Sequence, residues 1–335
     1  MKAIRWAAIT ATATFLTAGS AWSADLPNIR MGWVTSPGSV ASTMSMKPDL
    51  AVHRDKTYTF EPVHFASSAL ELVPLASGQL EIADVSYSGL ASAIENAHVD
   101  DLRIIADEIQ DGINGHENGS GFLVLKDSPI KRVEDLKGKV VAVLTLGSAT
   151  DMQARVMMRK HKLEDKRDYS LIEAQFANMK SLLIEGKAQL VAIAPPQAFD
   201  PDLRAASRML FTESDAMGPT QLLILGARAP FIKANRAAMV DFAEDLIRTV
   251  RWFTDPKNHE EAITLVAAFT KQPKENLYRL FTKEDNYRDQ NAEPNLTSLQ
   301  ANLDLQKEMG IQKTKIDVSR YADLSMVHEA AARLK

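Results

Sequence analysis

The chain contains no cysteine. That excludes disulfides, a thiolate nucleophile and cysteine metal clusters, and leaves the apolar core alone to hold the fold. Basic residues are scarce relative to acidic ones: the formal charge is -4, which removes the concentrated Lys and Arg that nucleic-acid binding needs. No G-x-G-x-x-G opens a helix, and Gly147-Ser148-Ala149 lacks the Gly-Lys-Thr/Ser of a phosphate-binding loop. H-E-x-x-H and the G-x-S-x-G elbow are also missing. Beyond the N-terminus no run is long and apolar enough to cross a bilayer. With no catalytic constellation and no cofactor motif, the sequence reads as a protein that is not an enzyme and carries no cofactor or resident metal.

What is present starts with a leader. Lys2 and Arg5 precede the apolar run WAAITATATFLTA, and GSAWSAD after it offers small residues for cleavage near Ser23-Ala24. This is the pattern of a secretory signal peptide over residues 1–23. Without a cysteine after it there is no lipid anchor, so a soluble periplasmic protein is expected.

The rest is organised around Phe65 to Ala91, FASSALELVPLASGQLEIADVSYSGLA. Ser67 or Ser68 can cap a helix, Leu70, Val73 and Leu75 or Ala76 offer an apolar face, and Gly78 supplies the left-handed stop. The apolar positions of LEIADV suit a buried strand. The unit returns at Phe176 to Pro196, FANMKSLLIEGKAQLVAIAPP, with Gly186 standing for Gly78. Two α/β units of one pattern predict two similar lobes, and the alternation of strands with helices predicts a parallel sheet with helices on both faces.

Strands are expected over Asn28 to Val34, Thr57 to Phe65, Leu102 to Ala106, Phe122 to Lys126, Lys139 to Leu144, Tyr169 to Phe176 and Arg208 to Phe211. The polar, glycine-rich stretch Asp107 to Gly121 reads as a crossover between lobes, and Asp215 to Pro219 as a second, since Gln221 to Gly226 is a strand with no partner nearby. His116, Glu117 and Asp111 make a poor metal set beside a solvated linker. The paired acids Asp107-Glu108 and Asp100-Asp101 read as solvent-facing charges. From Pro230 the chain is helical. Met239, Phe242, Leu246, Val250 and Phe253 mark the buried stripe of a helix over Arg236 to Phe253. Further helices are expected at Glu260 to Phe269, Lys274 to Phe281, Leu296 to Met309 and Leu324 to Leu334.

Helix starts at the ends of parallel strands are the physical candidates for a ligand site, because first-turn amides and the macrodipole favour a negative group. They occur after Ser36, at Ser67-Ser68, after Tyr87-Ser88, at Ser148-Thr150 and at Asn178. Any one of these residues more often just caps its helix; it is the recurrence in both halves that favours a ligand. Trp33, Tyr87, Phe65 and Phe176 can supply apolar walls, with core packing as the rival role.

The segments LASGQLEIADVSYSGLASAIENA, DSPIKRVEDLKGKVVAVLTLGSATD and NMKSLLIEGKAQLVAIAPP resemble the substrate-binding proteins of nitrate/sulfonate/taurine-type ABC importers, the SsuA/THI5-like, NMT1-like family. The resemblance spans roughly Asn28 to Phe281. It implies an α/β type II periplasmic-binding fold, two doubly wound lobes joined by two crossovers with a helical C-terminal part. Lobe I would comprise residues 24–108 and 220–335, lobe II residues 109–219. It further implies a monomer that binds a small organic anion, sulfonate-like or carboxylate, aromatic ones included, and delivers it to an inner-membrane ABC permease. Carried over by position, the ligand loops fall on Trp33, Ser36, Ser67, Ser68, Tyr87, Ser88, Gly147, Ser148, Ala149, Thr150, Asn178 and Pro195. Sulfonate binders of this kind often add a basic group in the cleft, and no Arg stands at these positions. A periplasmic sensing module and a pyrimidine-synthase-like enzyme of the same fold are the alternatives; the enzyme would require a cysteine-rich motif that this chain lacks.

Overall fold

The computed structural model of the chain describes residues 26–97, 99–116 and 120–335. The expected signal peptide with its cleavage at Ser23-Ala24, and Glu117 of the crossover, lie outside the described residues. Among the described residues no helix is long and apolar enough to cross a membrane.

Ten strands follow in chain order: β1 (Asn28–Trp33), β2 (Thr59–His64), β3 (Ile82–Ser86), β4 (Leu102–Asp111), β5 (Gly121–Leu125), β6 (Lys139–Val143), β7 (Tyr169–Glu173), β8 (Leu190–Ile193), β9 (Ser207–Thr212) and β10 (Thr220–Arg228). They form two mixed five-stranded sheets ordered β2-β1-β3-β10-β4 and β7-β6-β8-β5-β9. In each, three parallel strands are followed by one, β10 or β5, that runs antiparallel to both its neighbours, so the sheets are mixed and not parallel as the alternation predicted: the chain returns from the other lobe through that strand. The lobes are thus built on one plan. β3 and β8, the strands after the two repeated units, hold the same central place. Gly78 and Gly186 close the preceding helices at φ 73° and 70°, where a side chain would be strained.

Lobe I is stitched by strands far apart in sequence. The strand expected to lack a partner, Gln221 to Gly226, lies inside β10, which pairs antiparallel with both β3 and β4. β4 runs on to Asp111, five residues past its expected end, so the crossover begins later than the polar composition implied. The Arg236–Thr254 helix buries Met239, Phe242, Leu246, Val250 and Phe253 as its spacing predicted. Two other expectations are corrected. Leu70 and Val73 are 50% and 75% exposed, because a 3-10 turn at Ser68–Glu71 rotates the short helix Leu72–Ala76 so that Leu72 and Leu75 face inward. Lys274 to Phe281 makes only a 3-10 turn at Lys274–Asn276, while Leu277 and Leu280 are pulled into the core.

The adjacent acids Asp107 and Glu108 are buried, not solvent-facing, since β4 carries them into the sheet. Glu108 joins Glu71 and Asp84 in a cluster under the loop that follows β1. Val40 N donates to Glu108 Oε1 at 2.8 Å, Asp84 N to Glu71 Oε2 at 2.7 Å, and Ser39 Oγ to Asp84 Oδ2. Gly32 is required beneath it: a Cβ there would collide with Glu71 Oε2. Burial pushes all three carboxyls up, Asp84 to about 6. The Asp84 charge and a hydrogen bond to Asp84 push Glu108 further up. Asp107, which accepts from Gln221 Nε2 at 2.6 Å and Asp289 N at 2.8 Å, is pushed by burial to about 7.

These shifts fix a pH dependence. A carboxyl raised on folding holds its proton in the folded chain but not in the unfolded one, so stability is greatest below the unfolded pKa and falls as pH rises through the folded pKa. The melting temperature is expected to fall from pH 5 to pH 8, each retained proton contributing about 1.4 kcal/mol per pH unit while it is lost. Glu108→Gln, which mimics the neutral acid, is expected to flatten that slope. Calorimetry across the range checks this; a melting temperature that rises toward pH 8 would contradict it.

Candidate functional site

A cavity of about 90 Å³ lies between the lobes, with a mostly apolar lining. Lobe I contributes Val34, Thr35, Pro37, Gly38 and Ser68, the end of β4 contributes Ile109, and lobe II contributes Leu144, Ser148, Ala149, Thr150, Phe176 and Pro195. The acid cluster positions the first wall, because Ser39 Oγ, bonded to Asp84, accepts from Val34 N at 3.1 Å. The end of the cavity beside the crossovers is polar: Glu213, Asp285, Asn286 and Arg288 line it.

Arg288 is a cleft cation that the sequence positions did not supply. It is 8% exposed, and its Nη1 donates to Asp285 Oδ2 at 3.2 Å and to the Asn286 carbonyl at 3.2 Å. Its guanidinium carbon sits 5.5 Å from the Phe281 ring centroid. Asp285 is fully engaged: Oδ2 also accepts from Phe281 N and Oδ1 from Asn286 N. Arg288 Nε and Nη2 meet no acceptor among the described residues, nor does the buried Asn286 Nδ2. These are donors held ready at one end of an apolar cavity, the usual build of a small-molecule site.

The helix Ala149–Lys160 approaches with its N-terminus. Ser148 occupies the cap position without capping: its Oγ donates to Thr145 O at 2.7 Å and lies 3.1 Å from Thr150 Oγ1. Thr150 Oγ1 accepts from Leu144 N at 3.0 Å. The first-turn amides therefore have no side-chain acceptor and favour a negative group.

Ser68, Ser148, Ala149, Thr150 and Pro195 come together on the main cavity. Trp33 and Ser36 line a second recess of about 210 Å³ that shares Val34, Thr35, Leu144 and Phe176 with it, and Trp33 packs at a tilt against His64 with ring centroids 4.4 Å apart. Ser67 is wholly buried, with its hydroxyl bonded to no described residue. Asn178 is exposed on the helix Phe176–Ile184 and lines neither recess, because it sits two residues inside the helix, not at its cap. Tyr87 and Ser88 do something else. Tyr87 Oη donates to Ala149 O at 3.3 Å and Ser88 Oγ to Gly147 O at 3.0 Å, so both join lobe I to lobe II; Ser86, not Ser88, caps their helix. Ser88 and Gly147 line a separate recess behind the cleft. His116 Nδ1 lies 3.0 Å from the Asp285 carbonyl, and among the described residues no three His, Asp or Glu are grouped to hold a metal.

Residues 113–258 match the NMT1/THI5-like family. The matched span runs from the first crossover through lobe II and β10 to just past the helix Arg236–Thr254. No curated protein sequence matches the chain. Among solved structures, the alkanesulfonate-binding protein SsuA from Xanthomonas axonopodis pv. citri bound to MOPS is similar with a TM-score of 0.68 at 17% identity, covering 90% of this chain and 100% of that one. The periplasmic nitrate-binding protein NrtA from Synechocystis PCC 6803 gives 0.72 at 15% identity, covering 93% and 90%. The desulfurization enzyme DSZB gives 0.63 at 11% identity, covering 92% and 100%. At such identities these likenesses establish the fold: the two-lobed α/β periplasmic-binding architecture.

The bonds from Tyr87 and Ser88 across the cleft lead to one expectation. A Tyr87→Phe, Ser88→Ala variant loses two inter-lobe bonds of about 0.5–1.5 kcal/mol each. Small-angle scattering of the ligand-free variant is expected to show a larger radius of gyration than the parent. An unchanged radius would mean that other contacts set the lobe spacing.

Proposed function

We propose that this protein is the periplasmic solute-binding component of an ABC importer, capturing a small organic anion between its lobes and passing it to an inner-membrane permease. The reading rests above all on Arg288. It is a buried guanidinium with unused donors at the end of an apolar cavity whose other walls come from both lobes. Paired with Asp285 it adds no net charge to the empty site, while its free N–H groups can satisfy a sulfonate or carboxylate. The uncapped helix start at Ser148 adds a second donor set from the opposite lobe. Capture between two lobes requires both to contribute, and lobe closure about the crossovers then shields the guest.

Ligand-binding residues in this reading are Ser68, Ser148, Ala149, Thr150, Pro195 and Arg288, with Trp33 and Ser36 at the second recess. Residues 24–108 and 220–335 act as lobe I and 109–219 as lobe II, residues 1–23 as the export signal, and the chain works as a monomer without turnover. A likeness to an alkanesulfonate-binding and a periplasmic nitrate-binding protein supports this role, beside the match of residues 113–258 to the NMT1/THI5-like family.

Thermal-shift screening of sulfonates, carboxylates, nitrate and aromatic acids, followed by calorimetry, tests the proposal. One class of anion is expected to raise the melting temperature and to be recovered unchanged. Arg288→Gln is expected to weaken it by about tenfold to a hundredfold, the worth of a hydrogen bond to a charged group. Stabilisation by neutral or cationic compounds alone, or chemical conversion of the ligand, would overturn it.

A further inference from the structure

Ser39 stands at the cap position of the helix Val40–Met46 without capping it. Its hydroxyl is engaged elsewhere: it accepts from Val34 N at 3.1 Å and donates to Asp84 Oδ2. One residue on, Val40 N donates to Glu108 Oε1 at 2.8 Å. The two ends of the Val34–Val40 segment are thus fastened to one pair of acids, Asp84 on β3 and Glu108 on β4. Between those ends Val34, Thr35, Pro37 and Gly38 line the main cavity, and Ser39 N, bonded to Thr35 O at 2.8 Å, closes the turn. Neither acid lines the cavity itself.

Asp84 and Glu108 are hydrogen-bonded to each other. An ionised carboxylate only accepts, so that bond lasts only while the pair holds a proton. The surrounding groups do not replace it. Glu71, from the turn Ser68–Glu71, is a third acid whose charge works against theirs, and Ser39, Val34 and Val40 supply only dipoles. Among the described residues no Lys, Arg or His is paired with any of the three acids. We propose that the Asp84–Glu108 pair is a proton-dependent anchor of the cleft wall. With a proton shared, it pins Val34 through Ser39 and Val40 directly. As pH rises the proton passes to water, repulsion between two buried carboxylates parts the pair, and the Val34–Gly38 segment is released. Asp84 and Glu108 are then positioning residues, acting on the cavity through Ser39 and the Val40 amide. One consequence rests on the organic-anion reading: capture weakens toward alkaline pH even for a sulfonate, whose own charge does not change there.

The test reads the wall in the ligand-free protein, so its failure leaves the anion reading standing. Amide resonances are followed by two-dimensional NMR from pH 5 to pH 9. The amides of Val34, Thr35 and Gly38 are expected to shift in one step, on the midpoint of the Asp84 and Val40 amides, while those of β6 in the other lobe stay in place. Glu108→Gln has no shared proton to lose, because its amide donates to Asp84 and its oxygen still accepts from Val40 N; the step in Val34, Thr35 and Gly38 is expected to vanish. Ser39→Ala cuts the link but keeps the acids. The Asp84 amide is then expected to retain its step and Val34 and Thr35 to lose theirs. A step in Val34 and Thr35 that survives Ser39→Ala would show that they merely sense the changing charge, and would overturn the anchor. So would a titrating Asp84 amide beside an unmoved wall, a wall step that persists in Glu108→Gln, or no titration of Asp84 in this range. Should Ser39→Ala not fold, the Glu108→Gln comparison decides.

Discussion

The antiparallel ladder between β4 and β10 is the constraint on which the cleft depends. Its two strands, Leu102–Asp111 and Thr220–Arg228, pair from Leu102↔Arg228 to Thr220↔Asp111, and each leads into or out of a crossover. Tyr287 pairs with Gln110 near the Asp111 end of this ladder's outer edge, which brings the segment carrying Asp285, Asn286 and Arg288 against it. Glu213 and Asp111 meet at its far end. The charged end of the cavity is thus placed by backbone pairing among segments more than a hundred residues apart.

The same strand explains the burial of acids that a soluble fold usually keeps in water. β4 takes Asp107 and Glu108 inside, where Gln221 Nε2 and Asp289 N hold Asp107, and Val40 N and a hydrogen bond with Asp84 hold Glu108. Such clusters cost stability as their members ionise. In return they give a fixed geometry to the Val34–Val40 loop, one wall of the cavity, through Ser39 and the Val40 amide.

Much of the lobe plan and half of the cavity was legible in the sequence because it is local. A strand, a hydroxyl-rich turn and a helix start within ten residues, and that pattern marked Ser68, Ser148, Ala149 and Thr150, while Pro195 came with the family resemblance. The glycine stops at Gly78 and Gly186 marked the repeat. What was not legible comes from distant pairing. Arg288 and Asn286 stand in an irregular segment with no periodicity, and only its alignment on β4 brings them to the cleft. Glu213 reads as one acid among several in a helix cap. Asp107-Glu108 sits where composition turns polar, so nothing local shows that the strand continues. Asn178 shows the opposite failure: it repeats the pattern, but one helical turn carries it to the surface.

The central claim is that one guest is held simultaneously by Arg288 beside the crossovers and by the helix start at Ser148 in the other lobe. Hydrogen exchange with and without an organic anion found to bind tests this most directly, since amides sheltered by a ligand or by closure exchange more slowly. Joint protection of the amides around Ala149-Thr150 and around Asn286–Arg288 is the expected result. Protection confined to one lobe, with the other set exchanging as in the free protein, would contradict it.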